Sequence, residues 1–203
     1  MNLTDGLNAQ QQEAVKTVNG PLLLLAGAGS GKTKTIIHRI AYIIENGYAP
    51  AYRILALTFT NKAAKEMKQR IENLGVEGAN EMWMGTFHSI FARLLRLYAD
   101  RIGFTRNFTI YDESDSKNLL AKIMETLNVS DRDMPVGSVK DTISKAKDRA
   151  IDPVRFREMY ADNFRYEKIA PIYQEYQKHL KENNAMDFDD LLPPERILLY
   201  RSF

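Results

Sequence analysis

The sequence predicts a two-part chain: an α/β domain built on a parallel sheet, followed by an all-helical region. Three observations carry this. Short apolar runs alternate with helical periodicities over residues 1–111. The first run, Pro21–Leu25, leads straight into a glycine-rich turn, as a strand buried on both faces does in a parallel sheet. From Asp112 onward the spacing is helical.

In order, Pro21–Leu25 is the first predicted strand, and a helix follows from Gly31 to Asn46, with Ile36, Ile37, Ile40, Ile43 and Ile44 on its apolar side. Ile54–Phe59 is a second strand. Asn61 is placed to cap the next helix, in which Ala64, Met67, Ile71 and Leu74 recur at helical spacing. Glu81–Thr86 is a third strand, followed by a helix from His88 to Arg101, and Phe108–Tyr111 is a fourth strand. Strands separated by helices favour parallel pairing through crossovers. Ser114–Leu127, Val136–Arg149, Pro153–Asn163 and Tyr166–Asn183 read as helices, with no strand expected among them. The predicted domains are therefore 1–111 and 112–203.

Composition narrows the class. The 203 residues suffice for a sizeable core, and no apolar stretch approaches the ~20 residues that cross a bilayer. The first residues lack a secretory pattern, and the absence of cysteine excludes disulfides and cysteine-held zinc. These features fit a cytoplasmic protein with no membrane partner. Residues 1–111 carry 13 Lys and Arg against 8 Asp and Glu, whereas residues 112–203 carry 15 against 18. The basic half is the one suited to face a polyanion.

The stretch AGAGSGKT, Ala26–Thr33, holds the strongest chemical signal. Backbone amides in a glycine-rich turn, backed by a helix N-terminus, form a concavity that accepts phosphate. Ala28, Gly29, Ser30 and Gly31 supply the turn. Lys32 is placed to reach the β and γ phosphates, and the Thr33 hydroxyl to meet Mg²⁺. The first position of the usual G-x-x-x-x-G-K-[ST] pattern is occupied by Ala26. The expected ligands are a nucleoside triphosphate and Mg²⁺.

Further stretches specify the use. LNAQQQEAV (Leu7–Val15), ALTFTNKAAKEM (Ala56–Met67) and MGTFHSIFARLLR (Met84–Arg96), in this order around the phosphate loop, resemble the superfamily 1 DNA helicases of the UvrD/PcrA/Rep type. RIGFTRNFTIYD (Arg101–Asp112), YQEYQKHL (Tyr173–Leu180) and MDFDDLL (Met186–Leu192) extend the resemblance over nearly the whole chain. It implies a P-loop NTPase domain of RecA-like class, incomplete here, followed by a helical subdomain of the kind called 1B. The implied activity is ATP-dependent 3′→5′ translocation on single-stranded DNA by a longer protein, with a junction of single and double strands as substrate. Repair or replication proteins are the accessory partners such an enzyme would have, and it would work as a monomer.

Residue by residue, the resemblance assigns Gln11 to the adenine edge, which suits an amide bearing one donor and one acceptor face. Lys34 stands where family members carry an arginine that stacks on adenine; lysine has no planar surface for this. Thr58, Phe59, Thr60, Asn61 and Lys62 match a segment that touches single-stranded DNA, with Phe59 offering a ring to a base. Thr86, His88 and Ser89, with Phe87 between them, occupy the matching place after the next strand. In a parallel sheet these strand ends and the phosphate loop belong on one rim. Lys140, Lys145, Lys147 and Arg149 form a basic cluster in the helical region, where the family contacts duplex DNA, although Asp141 and Asp148 dilute its charge. Asp187, Asp189 and Asp190 resemble a metal-holding set, but a capped structural turn explains them better.

The family carries a later Asp-Glu strand and a second motor domain with arginine fingers. Neither follows in these 203 residues, so an N-terminal portion unable to hydrolyse ATP alone is expected. Two other readings stay open from the residues themselves: a portion of a helicase–nuclease subunit, and a P-loop nucleotide switch with no nucleic-acid role. A bare DNA-binding module is the non-enzymatic alternative.

Overall fold

A computed structural model describes residues 3–192, so the double proline Pro193–Pro194 and the rest of the tail lie outside the described residues. The described chain forms two units that divide between Ile90 and Phe91. The composition changes later, at Asp112.

In the first unit, α1 (Ala9–Lys16) starts at Asn8, whose side chain accepts the Gln11 amide while the Gln11 side chain accepts the Asn8 amide. This reciprocal cap satisfies two helix-end donors at once. Helix α2 (Lys32–Glu45) buries Thr35, Ile37, Ile40 and Ala41. Arg39 fastens α1 to it by donating to the Ala14 carbonyl at 2.7 Å and to the Thr17 carbonyl. His38 bonds the Leu3 carbonyl at 2.7 Å, a structural use of its ring.

Strand β1 (Leu55–Thr58) leads into α3 (Asn61–Asn73) and returns as β2 (Trp83–Thr86). The two strands pair in parallel with Leu55 opposite Trp83 and Thr58 opposite Thr86. Ile37, Ile40, Ala56, Met67, Ile71 and Met82 are central to the core of this unit. The cap of α3 is Thr60 rather than Asn61: its hydroxyl accepts the Ala63 amide, and Asn61 is the first helical residue. The extended conformation needed at a cap falls to the residue leaving the strand, so the start lies one position earlier than expected.

Pro21–Leu25 departs from expectation. The segment pairs with no strand among the described residues, and Leu23 and Leu25 are 79% and 86% exposed. A strand exists only as part of a ladder, and β1 and β2 pair with each other alone.

Helix α4 (Phe87–Leu97) begins where β2 ends and is followed by a 3-10 turn, Ala99–Ile102, in place of the longer helix expected. In the second unit, β3 (Thr109–Tyr111) does not join the β1–β2 sheet. It pairs in parallel with β4 (Ala185–Asp187), a strand the sequence reading did not anticipate. Helices α5 (Glu113–Thr126), α6 (Val136–Asp148), α7 (Pro153–Met159) and α8 (Phe164–Glu182) pack around Leu120, Ile143, Phe156, Ile169 and Tyr176. These are the four expected helices with shifted ends. Asn184, at φ 47°, turns the chain from α8 into β4, and its side chain holds Thr105 through both its oxygen, at 2.8 Å, and its nitrogen, at 2.7 Å.

Candidate functional site

The loop before α2 is shaped by two glycines in left-handed conformation, Gly29 at φ 76° and Gly31 at φ 84°. The left-handed backbone at Gly31 favours glycine, and a Cβ there would also displace the Gln11 side-chain nitrogen, 2.7 Å from that position. The Ser30 hydroxyl donates to the Gly27 carbonyl at 2.7 Å. Lys32 folds over the loop and donates to the carbonyls of Ala26, at 2.6 Å, and Gly27, at 2.5 Å. Its ammonium is thus held on the loop, on a flexible stem that can swing toward an anion. Thr35 is the first residue of α2 to bond backward within the helix, to Gly31 at 2.9 Å. The amides of Lys32, Thr33 and Lys34 therefore precede the helical ladder, as phosphate-binding amides must.

Gln11 lies against this loop and donates to the Ser30 carbonyl at 3.0 Å. Lys34 donates to the Gly6 carbonyl at 2.8 Å, so its charge ties α2 to the segment before α1. Ala28 and Thr33 are exposed.

A groove of about 310 Å³ joins the loop to the end of β1: Thr33 lines it together with Leu57, Thr58, Phe59, Thr60 and the α3 residues Ala63, Glu66, Met67 and Arg70. Thr58 is buried, and its hydroxyl donates to the Thr60 carbonyl at 3.1 Å. Phe59 is 93% exposed, and its ring centroid lies 5.9 Å from that of Phe87, itself 37% exposed. Asn61 and Lys62 are exposed on the first turn of α3. After β2, the Ser89 amide donates to the Thr86 hydroxyl at 3.2 Å and the Ser89 hydroxyl to the Thr86 carbonyl at 2.9 Å, a tight turn with His88 half-buried within it. Thr58 and Thr86 are ladder partners, so the two loops leave the sheet side by side. Phe87, which the sequence placed in one stretch with Thr86, His88 and Ser89, meets the Phe59 ring here. Its signal was there, since Thr-Phe ends both strands at matching register.

The magnesium expected at Thr33 has one protein donor here, the exposed hydroxyl. Among the described residues, no group of three or more His, Cys, Asp or Glu is placed to hold a metal. Magnesium bound mainly by nucleotide phosphates and water is compatible with that single donor.

The profile of the UvrD/REP helicase N-terminal domain matches residues 7–199. The chain belongs to this family. It is 45% identical over 190 residues to the ATP-dependent DNA helicase PcrA of Bacillus subtilis, and equally so to PcrA of Staphylococcus epidermidis. Identity to the Staphylococcus aureus PcrA is 43%. Each alignment covers 94% of this chain and 26% of the relative, so the chain spans about a quarter of the length of these helicases.

Within this UvrD/REP chain, the basic cluster of α6 does not act as a unit. Lys140 and Lys147 are buried. Lys140 meets Asp189 at 2.6 Å, and Lys147 meets Asp187 at 2.7 Å and Asp190 at 3.1 Å. The acidic stretch and half of the basic cluster thus neutralise each other, which a surface for duplex DNA could not allow. Ser144 joins by donating to Asp189 at 2.6 Å, and Tyr176 by donating to Asp187 at 2.9 Å. Burial alone would lower the Lys140 pKa, but the hydrogen bond to Asp189 and its charge, with Asp187 and Glu113 behind it, raise it above its ordinary value. Burial pushes the Tyr176 phenol well up, and the charge of Asp187 adds to this. Sequence reasoning saw like charges in runs; the pairing partners lie 40 to 49 residues apart.

Proposed function

We propose that this chain is the ATP- and single-stranded-DNA-binding portion of an ATP-dependent 3′→5′ DNA helicase or translocase. The supporting observation is the groove in which Thr33 of the phosphate loop and Phe59 of the strand-end loop share a wall. Residues 1–111 act as a RecA-like P-loop domain and residues 112–203 as the helical subdomain. In the longer protein, the exposed leucines of Pro21–Leu25 pair with further strands of that domain. The protein works in the cytoplasm, as a monomer, at junctions of single- and double-stranded DNA.

Bound MgATP supplies the phosphoanhydride whose cleavage drives the motion. Lys32 exchanges the Ala26 and Gly27 carbonyls for phosphate oxygens, and the Thr33 hydroxyl is the protein's donor to the metal. Gln11 orients the base from beside the loop. Phe59 and Phe87 offer rings to a base, while the amides and hydroxyls at Thr60, Asn61, Thr86 and Ser89, with the charge of Lys62 and the imidazole of His88, hold backbone phosphates. A shift at Thr33 reaches Phe59 across one groove wall, which gives nucleotide and DNA a short route of mutual influence.

The test is ATP binding and DNA-stimulated ATP hydrolysis by the full-length protein and its Lys32→Ala variant. The proposal expects hydrolysis stimulated by single-stranded DNA, with both binding and hydrolysis lost in the variant. DNA-independent hydrolysis would instead favour a nucleotide switch.

A further inference from the structure

The helical unit holds a small pocket that neither its packing nor the phosphate-loop site uses. Its volume is about 130 Å³, and Ala146, Ile151 and Phe156, all buried, form its base. Tyr160 and Tyr166 stand at its edge with their rings 4.7 Å apart, and the Phe156 ring lies 4.9 Å from Tyr160 and 5.8 Å from Tyr166. Lys145 and Arg149, one turn apart on α6, complete the rim. Both are exposed, and neither side chain forms an ion pair or hydrogen bond among the described residues. The same holds for the two phenol hydroxyls. The Thr142 hydroxyl, also in the lining, is spent on the Ser138 carbonyl at 2.8 Å. The free polar groups are therefore all donors, two of them cationic, above a base that is aliphatic and aromatic.

The surroundings decide which anion suits it. Apart from the buried Lys147, residues 141–166 carry five Lys and Arg against five Asp and Glu. A polyanion bears charge along its whole length and is held by a continuous basic track. Here the positive charge is confined to the pocket, and the exposed acids Asp141 and Asp148 lie on the same helix. A single carboxylate meets that pattern, and the planar fork of Arg149 matches a carboxylate at two points. The volume is well below the ~300 Å³ at which whole small-molecule sites begin, so it suits one side chain. Next to it, Phe156, Met159 and Tyr160 share one side of α7, and Met159 is 48% exposed. An apolar neighbour of the carboxylate finds contact there, as interface anchors do.

We propose that this pocket docks an acidic segment of a partner protein. An Asp or Glu carboxylate of the partner lies between Lys145 and Arg149 and accepts from the Tyr160 and Tyr166 hydroxyls. An adjacent apolar side chain of the partner rests on Met159 and Tyr160. This surface goes beyond the motor reading and does not rest on it, since the phosphate loop and both strand-end loops belong to the first unit.

The experiment presents the fluorescently labelled full-length protein with an array of peptides in a glycine–serine frame. Each peptide pairs Asp or Glu with Leu, Ile, Phe or Trp, and a counterpart carries Asn or Gln in place of the acid. The variants are the Lys145→Gln, Arg149→Gln pair, which keeps both aliphatic stems, and Tyr166→Phe, with circular dichroism confirming an unchanged fold. The parent is expected to favour the acidic peptides over their amide counterparts on the order of fivefold, and the double variant to lose that preference. Tyr166→Phe is expected to reduce it about twofold, because only one hydrogen bond is removed. Equal binding of acidic and amide peptides by the parent overturns the proposal, as does an undiminished preference in the double variant. Affinity for a tailed DNA duplex is measured alongside. A double variant that binds the duplex more weakly but keeps its peptide preference assigns the two cations to nucleic acid and overturns the proposal.

Discussion

The Lys147 ammonium lies 2.7 Å from a carboxylate oxygen of Asp187, with the two side chains 4% and 1% exposed. Asp187 also accepts the Tyr176 hydroxyl and the Asp190 amide, each at 2.9 Å. One carboxylate thus ties α6, α8 and the end of β4 together.

Breaking this pair leaves the buried Lys147 ammonium with Asp190 alone, at 3.1 Å, and leaves the Tyr176 hydroxyl and the Asp190 amide without their acceptor. Asp187→Ala is expected to destabilise the helical unit by about 3–5 kcal/mol, read as a lower urea midpoint by circular dichroism. The paired Lys147→Met, Asp187→Leu change should recover part of the loss. Full recovery is not expected, because the Tyr176 hydroxyl and the Asp190 amide still lack their acceptor. A single variant as stable as the parent would show the pair to be incidental.

The same network predicts a pH dependence. The pKa values of Lys140 and Tyr176 are both raised in the folded state, so folding favours the protonated form of each. Their contribution is complete below the ordinary values of 10.5 and 10.0 and is lost as pH rises through the raised ones. The urea midpoint should therefore hold up to about pH 10 and fall as pH rises beyond it, and Lys140→Met should flatten part of that fall. A midpoint independent of alkali would contradict the raised values.

Gly85 permits the close packing of the second strand-end loop. A Cβ there would meet the Ser89 hydroxyl oxygen at 2.5 Å and the Ile90 side chain at 3.2 Å. Gly85→Ala is expected to cost about 1–3 kcal/mol and to weaken single-stranded DNA binding by displacing the Thr86–Ser89 turn. Urea unfolding and fluorescence anisotropy would measure the two effects, and a neutral substitution would count against this packing.

The cap of α3 gives a clean comparison between adjacent residues. Thr60→Ala should cost about 1 kcal/mol, and Asn61→Ala much less, since only the Thr60 hydroxyl accepts the Ala63 amide. The reverse order would move the helix start to Asn61.

Legibility followed the range of the interactions. The phosphate loop was readable because its parts are contiguous: two glycines that need left-handed backbone, then Lys32 and Thr33 opening α2. The pairs Thr58–Phe59 and Thr86–Phe87 were half readable, since each ends an apolar run, but their adjacency needs the β1–β2 register. Strand β4 was missed because three residues, Ala185–Asp187, carry too little alternation, and its partner β3 lies 76 residues earlier. Lys140 and Lys147 looked like surface charge because nothing local distinguishes a buried lysine from an exposed one; the carboxylates that neutralise them come from after α8. Pro21–Leu25 reads as a buried strand by composition, yet burial depends on neighbours that the described residues do not supply.

The central claim is that the phosphate loop and the two strand-end loops form one surface on which nucleotide and unpaired DNA lie close together. Its most direct test is photocrosslinking of the full-length protein to a single-stranded oligonucleotide carrying a photoreactive base, with the attachment sites mapped by mass spectrometry. The account predicts attachment at Phe59 and within Phe87–Ser89. Attachment confined to other surfaces, with these loops unmodified, would contradict it.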